Sequence, residues 1–138
     1  MADTFRCTLV TPEEQVLDEQ VKYVTFPAWD GQVGIAPGRS ALLARVGIGS
    51  MRLDFAGGAS RWYLLEGGFA QMLGDQLTIL SDKSTAAEQL IASDAARELD
   101  EALAMSAGDE VSQKARTAAL QTAREKLRMA KVASGRGI

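Results

Sequence analysis

The chain has 138 residues, of which 46% are hydrophobic and 24% are charged, and this composition is typical of one soluble domain or a small domain with an appendage. It has no histidine and one cysteine, Cys7, which excludes an internal disulfide, a Cys/His zinc site and any nucleophilic triad with an imidazole base. No uncharged stretch is long enough to cross a bilayer, and no signal-peptide pattern precedes the first predicted strand. We therefore expect a protein of a reducing compartment without direct membrane insertion.

The net charge of −3 is distributed unevenly along the sequence. Residues 1–108 carry a net charge of −7, whereas residues 109–138 carry +4. A basic segment attached to an acidic body can bind nucleic acid, an anionic membrane surface or an acidic patch on a protein. Charge alone leaves these three kinds of partner open.

Up to about Asp82 the sequence alternates apolar and polar residues in short runs separated by glycine, a pattern that predicts successive β-strands. The clearest strand candidates are 21–26, 51–55, 61–65 and 76–80. Cys7 falls on the apolar face of the first strand and is expected to be a small core residue. Gly57-Gly58 predicts a hairpin turn, and Gly67-Gly68 predicts a bulge or tight bend. Many short strands without helices between them predict an antiparallel sandwich or barrel.

After Asp82 the sequence becomes rich in alanine and lacks proline, which is typical of helices. Ser93 is the predicted N-cap of a first helix, and Gly108 separates it from a second helix. Two helices joined by a short loop pack antiparallel. Because a seam of alanines buries little apolar area, we expect a weakly held hairpin that could open.

No motif in the sequence carries enzymatic chemistry. Gly38-Arg39-Ser40 ends like a phosphate-binding loop, but Val33 stands where that motif requires its first glycine and Arg39 where it requires lysine. The neighbouring carboxylates Glu13-Glu14 and Asp100-Glu101 belong to solvated faces rather than to an acid–base pair. We therefore expect no catalytic residue, no cofactor and no metal ion, and a protein that is not an enzyme.

The second predicted helix carries basic residues on one side. Arg124, Arg128 and Lys131 lie within about 60° of one another around its axis. They lie next to the apolar stripe that contains Leu120 and Leu127. A solvated face and a docking surface for an acidic protein both explain this pattern. Nucleic acid is disfavoured as a partner because the acidic body would repel phosphates.

Three further stretches of the sequence are distinctive: 11–13 leading to 21–24, the glycine-rich segment 30–38 before 42–43, and 65–70 before 77–80. Together they resemble the epsilon subunit family of bacterial F-type ATP synthases. The order of a β-rich body followed by an alanine-rich helical hairpin is also the layout of that family. The resemblance covers nearly the whole chain.

The resemblance implies an α+β, mainly β, fold with an antiparallel β-sandwich of about ten strands over residues 1–84. An antiparallel two-helix hairpin is implied over residues 85–138. The implied function is that of a non-catalytic subunit of the rotating central stalk, which binds the gamma subunit and the c-subunit ring and couples ion flow to ATP synthesis. The implied location is the cytoplasmic face of the bacterial inner membrane, as a peripheral part of the complex.

In this family the turn around the glycine-rich motif faces the polar loops of the c-ring, which implies ring contacts at Asp30, Gln32 and Arg39. Histidine and then Ala-Pro commonly follow the last glycine of the motif, whereas this chain has Arg39-Ser40-Ala41. Because a guanidinium stays charged, a ring contact through Arg39 is expected to depend less on pH than one through imidazole.

The helical hairpin of relatives can extend along gamma into the alpha/beta catalytic hexamer and restrain ATP hydrolysis. Basic residues of the last helix then meet an acidic segment of the beta subunit. The resemblance thus implies contacts with the catalytic hexamer at Arg124, Lys126, Arg128 and Lys131.

Some relatives bind ATP on the folded hairpin through an Ile/Leu-Asp-x-x-Arg-Ala motif together with arginines of the second helix. Only Asp94 and Arg97 match this motif here, since Ser93 precedes it and Glu98 follows it. The alternative function is therefore a free nucleotide-sensing binding module on the same fold, with ATP contacts at Asp94 and Arg97.

Overall fold

A computed structural model describes residues 3–136 of the chain, with side chains described as far as Val132. Ten β-strands occupy the first part of this range. They are β1 Phe5–Val10, β2 Gln15–Val21, β3 Tyr23–Ala28, β4 Gly31–Ile35, β5 Leu42–Arg45, β6 Ile48–Asp54, β7 Ser60–Glu66, β8 Gly68–Leu73, β9 Gln76–Ser81 and β10 Ser84–Ala86. The chain divides into two compact units between Thr85 and Ala86, within the last residues of β10.

The strands form two five-stranded sheets. The first sheet has the order β2-β1-β9-β8-β5 and the second has the order β10-β7-β6-β3-β4. β1 pairs with β9 in parallel, whereas β1–β2, β3–β4, β3–β6, β5–β8, β6–β7 and β8–β9 are antiparallel pairs. The predicted ten-stranded β-sandwich is confirmed, and the sandwich rather than the barrel is the observed architecture.

The core of the sandwich is built from alternate residues of both sheets. The side chains with at most 1% exposure include Phe5, Cys7, Leu9, Val24, Phe26, Ile35, Met51, Leu53, Leu65, Met72, Leu77 and Ile79. Period-two alternation places them on the inward faces, where each large side chain contributes roughly 1.5–3 kcal/mol by leaving water. Burial also raises the pKa of the Cys7 thiol to about 12, so this group stays protonated and acts as a small apolar residue.

Two glycine pairs shape the turns as the sequence predicts. β6 and β7 are joined by a hairpin turn in which Gly58 has a φ of +95°. Gly67 and Gly68 form the bend between β7 and β8, with φ values of +79° and +114°. A Cβ at Gly68 would also collide with the backbone oxygen of Leu80 on the neighbouring strand. This bend therefore requires glycine both for its conformation and for its space.

The second unit is helical. It contains a 3₁₀-helix at Ala87–Gln89 and two α-helices, α1 at Ala92–Leu103 and α2 at Glu110–Arg136. Among the described residues, no helix combines the length and the hydropathy needed to span a bilayer.

The start of the first helix differs from the sequence-based expectation. The prediction of Ser93 as N-cap is wrong: the N-cap is Ile91, which has no side-chain cap, and its carbonyl accepts the Ala95 N–H at 3.0 Å. The first turn instead carries Asp94, whose charge suits the N-terminal end of the helix dipole. α2 is capped by Asp109, whose Oδ1 accepts the Ser112 backbone N–H at 2.7 Å, and this hydrogen bond lowers the pKa of Asp109 below its usual range.

α1 and α2 pack as an antiparallel hairpin. The residues buried along them are Ala95 and Ala102 on α1, and Leu120, Ala123, Met129 and Ala130 on α2. Most of these side chains are small, so each helical turn contributes little hydrophobic stabilisation. Leu103, the last residue of α1, is 48% exposed. The seam between the helices is therefore narrow and mainly alanine.

The first prediction concerns the bend at Gly68. Gly68→Ala is expected to lower the free energy of unfolding of the sandwich by about 2–4 kcal/mol, because the new methyl group meets backbone that cannot rotate away and φ is positive. Urea unfolding followed by tryptophan fluorescence measures this loss. Gly57→Ala is the matched control, because a Cβ there meets nothing within 4 Å. Equal stability of the two variants would contradict the steric explanation.

Candidate functional site

The three residues expected to contact the c-ring lie on β4 or in the turn and loop that flank it. β4 is an edge strand of the second sheet. Asp30 lies in the two-residue turn between β3 and β4, and Gln32 lies on β4 opposite Pro27. Arg39 lies in the loop that follows β4, where its backbone N–H donates to the Ala36 oxygen at 3.2 Å. All three side chains are exposed.

The structure spreads these residues along the edge and does not cluster them. β4 has five residues and is therefore about 16 Å long. Asp30 precedes its first residue and Arg39 follows its last, so a negative and a positive side chain mark opposite ends of the strand. We call the segment from Asp30 to Arg39 the β4 edge.

Trp29 is a surface residue that sequence reasoning did not single out. Its side chain is 70% exposed, although tryptophan is normally among the more buried residues. The turn is held in place, since the Trp29 backbone N–H donates to the Arg45 oxygen at 2.9 Å. Its position directly before Asp30-Gly31, a pair typical of turns, is the signal that could have predicted an exposed aromatic residue.

The first sheet presents an apolar patch on its outward face. Its members are Leu43, Phe69, Leu73 and Leu80, which are 73%, 56%, 63% and 53% exposed. They belong to the adjacent strands β5, β8 and β9, and Phe69 lies directly opposite Leu80 in the register. Gln71 pairs with Leu43 and lies on the same face, between Phe69 and Leu73 along β8. We call these four residues the outer apolar face.

The remaining part of the same sheet is polar on its outward side. Arg6 on β1 forms a bidentate ion pair with Asp18 on β2, with N–O distances of 2.8 and 2.7 Å. This hydrogen-bonded pairing holds the pKa of Asp18 below its usual range. Glu19 lies on the other side of β2, together with the buried Leu17 and Val21, and binds Arg61 of the second sheet at 2.6 Å. The outer apolar face is therefore confined to β5, β8 and β9.

On the second sheet, Trp62 and Tyr63 point to opposite sides of β7. Tyr63 is 8% exposed, while Trp62 lies on the outward side beneath the Arg52 guanidinium, 5.3 Å from its ring centre. Arg52 also donates to Asp54 at 2.9 Å. An arginine thus covers the outward-facing aromatic ring here, in contrast to the uncovered side chains of the outer apolar face.

The four basic residues predicted to contact the catalytic hexamer fall into two groups on α2. Arg124, Arg128 and Lys131 are exposed, and Arg128 also pairs with Glu125 at 2.8 Å. We call these three residues the basic stripe. Lys126 differs, because only 15% of its side chain is exposed and its Nζ lies 3.1 Å from Oε2 of Glu98 on α1.

The two candidate ATP contacts lie near the start of α1 and bind each other. The Arg97 guanidinium donates to Asp94 at 3.4 Å, and both side chains are at least half exposed. On α2, Arg116 donates to the Leu103 oxygen at 3.3 Å, about 13 Å further along α1 from Asp94. In residues 3–136 no three His, Cys, Asp or Glu side chains are grouped so that they could hold a metal ion.

Comparison with known proteins links this arrangement to a family. Residues 4–87 match the family model described as ATP synthase, Delta/Epsilon chain, beta-sandwich domain. The ATP synthase epsilon chain of Rhodopirellula baltica is 34% identical over 125 residues, which cover 91% of this chain and 97% of that relative. The ATP synthase epsilon chain of Solibacter usitatus is 37% identical over 90 residues, which cover 65% of this chain and 66% of that relative.

Solved structures show that the fold is shared. A chain of the Euglena gracilis mitochondrial ATP synthase, in a cryo-EM structure of OSCP, F1 and the c-ring, superposes with a TM-score of 0.83 at 23% identity, covering 91% of this chain and 80% of that chain. A chain from the central stalk and c-ring of the Tetrahymena thermophila mitochondrial ATP synthase has a TM-score of 0.71 at 15% identity, covering 91% and 95%. The resemblance predicted from the sequence is confirmed, and the chain belongs to the family of ATP synthase epsilon chains.

Proposed function

We propose that this chain is a non-catalytic rotor subunit in the central stalk of a bacterial F-type ATP synthase. It binds the gamma subunit and the ring of c subunits and couples ion translocation to ATP synthesis. It lies at the cytoplasmic face of the inner membrane as a peripheral part of the complex. Family membership supports this assignment. The outer apolar face is the observation that carries it, because a rotor subunit needs a stable contact with gamma.

The outer apolar face is the surface through which gamma is bound. Isolated exposed leucines are ordinary, but four large apolar side chains on one face of three adjacent strands form a cluster of the kind that marks protein interfaces. The strands are anchored from behind by the core residues Ala70, Met72 and Ile79, each at most 1% exposed. The patch is therefore rigid before binding, which lowers the entropic cost of forming a stable interface.

The β4 edge supplies the contact with the ring. It is polar, and the opposite charges of Asp30 and Arg39 at its two ends favour a single orientation against the polar loops of the ring. Such a contact contributes more to orientation than to affinity. An apolar attachment to gamma and a polar contact with the ring together fit a subunit that transmits torque between them.

The helical hairpin restrains ATP hydrolysis when it extends toward the alpha/beta hexamer. Its alanine seam holds the closed form weakly, and the exposed basic stripe carries the charge that an acidic segment of the beta subunit requires.

The gamma contact is tested by a double substitution on the outer apolar face. Leu43→Ser with Phe69→Ser is expected to weaken binding to isolated gamma by about tenfold or more, because two apolar anchors are lost from the centre of the interface. Calorimetric titration measures the affinity. Trp29→Ser is the control, since it removes a side chain of similar exposure, 70%, from outside this face. Affinity unchanged by the double substitution would rule out this face as the gamma contact.

The ring contact is tested in membrane vesicles that contain the whole enzyme. Arg39→Ala and Asp30→Ala are each expected to lower ion pumping per ATP hydrolysed by about threefold, because each removes a charge that orients the β4 edge. Simultaneous assays of pumping and hydrolysis give this ratio. Glu13→Ala serves as control, since it removes an exposed charge outside the β4 edge. Normal coupling with Arg39→Ala would count against a role for Arg39.

The braking role of the hairpin is tested by ATP hydrolysis of a gamma-containing catalytic hexamer. The full-length chain is expected to inhibit, whereas a form that ends at Ala86 and keeps β10 is not. Replacing the basic stripe by alanine should raise the concentration needed for inhibition by about tenfold. Lys114→Ala is the matched control, because Lys114 is an exposed cation on α2 outside the stripe. If both forms bind gamma and neither slows hydrolysis, the hairpin is not a brake.

A further inference from the structure

The ion pair between Glu98 and Lys126 lies inside the seam of the helical hairpin. On α2, Lys126 is three residues after Ala123, three before Met129 and four before Ala130, and these three neighbours are at most 4% exposed. Residues at this spacing share one side of a helix. Lys126 therefore lies on the buried side of α2, which agrees with its 15% exposure.

Glu98 occupies the matching position on α1. It is three residues after Ala95 and four before Ala102, which are 3% and 2% exposed. Both helices thus repeat one pattern, in which an ionised residue stands between two buried alanines spaced seven apart. The carboxylate and the ammonium meet at 3.1 Å with the two helices in this alignment.

This pair differs from the ordinary ion pairs of the surface. Lys114 and Glu110 lie 3.7 Å apart with side chains 80% and 83% exposed, and such pairs contribute little. Lys126 keeps only 15% of its side-chain surface in water, whereas Glu98 keeps 42%. Glu98 can be solvated without its partner, whereas Lys126 lies on the buried side of α2, where Glu98 supplies the opposite charge.

We propose that Glu98 keeps the Lys126 side chain in the seam and thereby keeps the hairpin closed. The alanine seam offers little hydrophobic stabilisation to offset an unpaired ammonium, so loss of Glu98 opens the hairpin. Opening releases Lys126 to bind an acidic protein surface in place of Glu98. This last step rests on the proposed braking function, whereas the closing role does not.

The test is backbone amide hydrogen exchange of the full-length chain, with amides of β1 as an internal check that the sandwich stays folded. Glu98→Ala is expected to speed exchange in α1 by about tenfold or more, because Lys126 is left buried without a partner. Lys126→Met, which fits the same space without charge, should change exchange by less than about threefold. The double variant Glu98→Ala with Lys126→Met should recover the slow exchange.

The rescue separates the proposal from a general effect on the helix. Glu101→Ala, an exposed carboxylate on α1, is the matched control and should leave exchange unchanged. If the double variant exchanges as fast as Glu98→Ala, or if Glu98→Ala behaves like Glu101→Ala, the closing role of the pair is overturned.

The link to the brake is measured separately, with the gamma-containing catalytic hexamer. Glu98→Ala should inhibit ATP hydrolysis at a concentration lower by about the same factor as its exchange is faster. Faster exchange with an unchanged inhibition curve would overturn the link to hydrolysis and count against the braking function, while the closing role of Glu98 and Lys126 would stand.

Discussion

The parallel pairing of β1 with β9 is the interaction on which the rest of the sandwich depends. It places Cys7 opposite Leu77 and Leu9 opposite Ile79 near the middle of the first sheet, and all four side chains are 0% exposed. Because it joins the first strand to the last long strand, the core closes only when nearly the whole unit is ordered. The same alternation that turns these residues inward turns Leu80 outward, so one register produces both the core and the outer apolar face.

The two units differ in the strength of their packing, and their proposed roles follow from this difference. The sandwich has large side chains interleaved between two sheets, and bends such as that at Gly68 leave no room for a side chain. The seam of the hairpin consists mainly of alanines and includes a partly buried ion pair, so modest free energies separate its closed and open forms. A rigid unit suits permanent contacts with a rotating shaft, and a marginally stable unit suits regulation.

Much of the fold could be predicted from the sequence, because period-two alternation and glycine pairs directly encode strands and turns. The N-cap at Ser93 could not, since the helix starts at Ile91 without any side-chain cap, and only tertiary packing fixes that boundary. The outer apolar face was missed because alternation assigns apolar residues to the core, and Phe69 and Leu80 are apolar on the opposite face. Nor could the burial of Lys126 be predicted, since its partner Glu98 is 28 residues away.

The net charge of the helical unit does not show which of its cations already have partners inside the hairpin. The segment after residue 108 is basic, which suggests a constant attraction to acidic partners. In the closed hairpin, however, Lys126 is bound to Glu98 and Arg116 donates to the Leu103 carbonyl at the end of α1. Two cations thus have partners within the hairpin and lose them when it opens. Opening would then strengthen the attraction between the hairpin and an acidic surface. This electrostatic attraction offsets part of the stabilisation that the seam loses on opening.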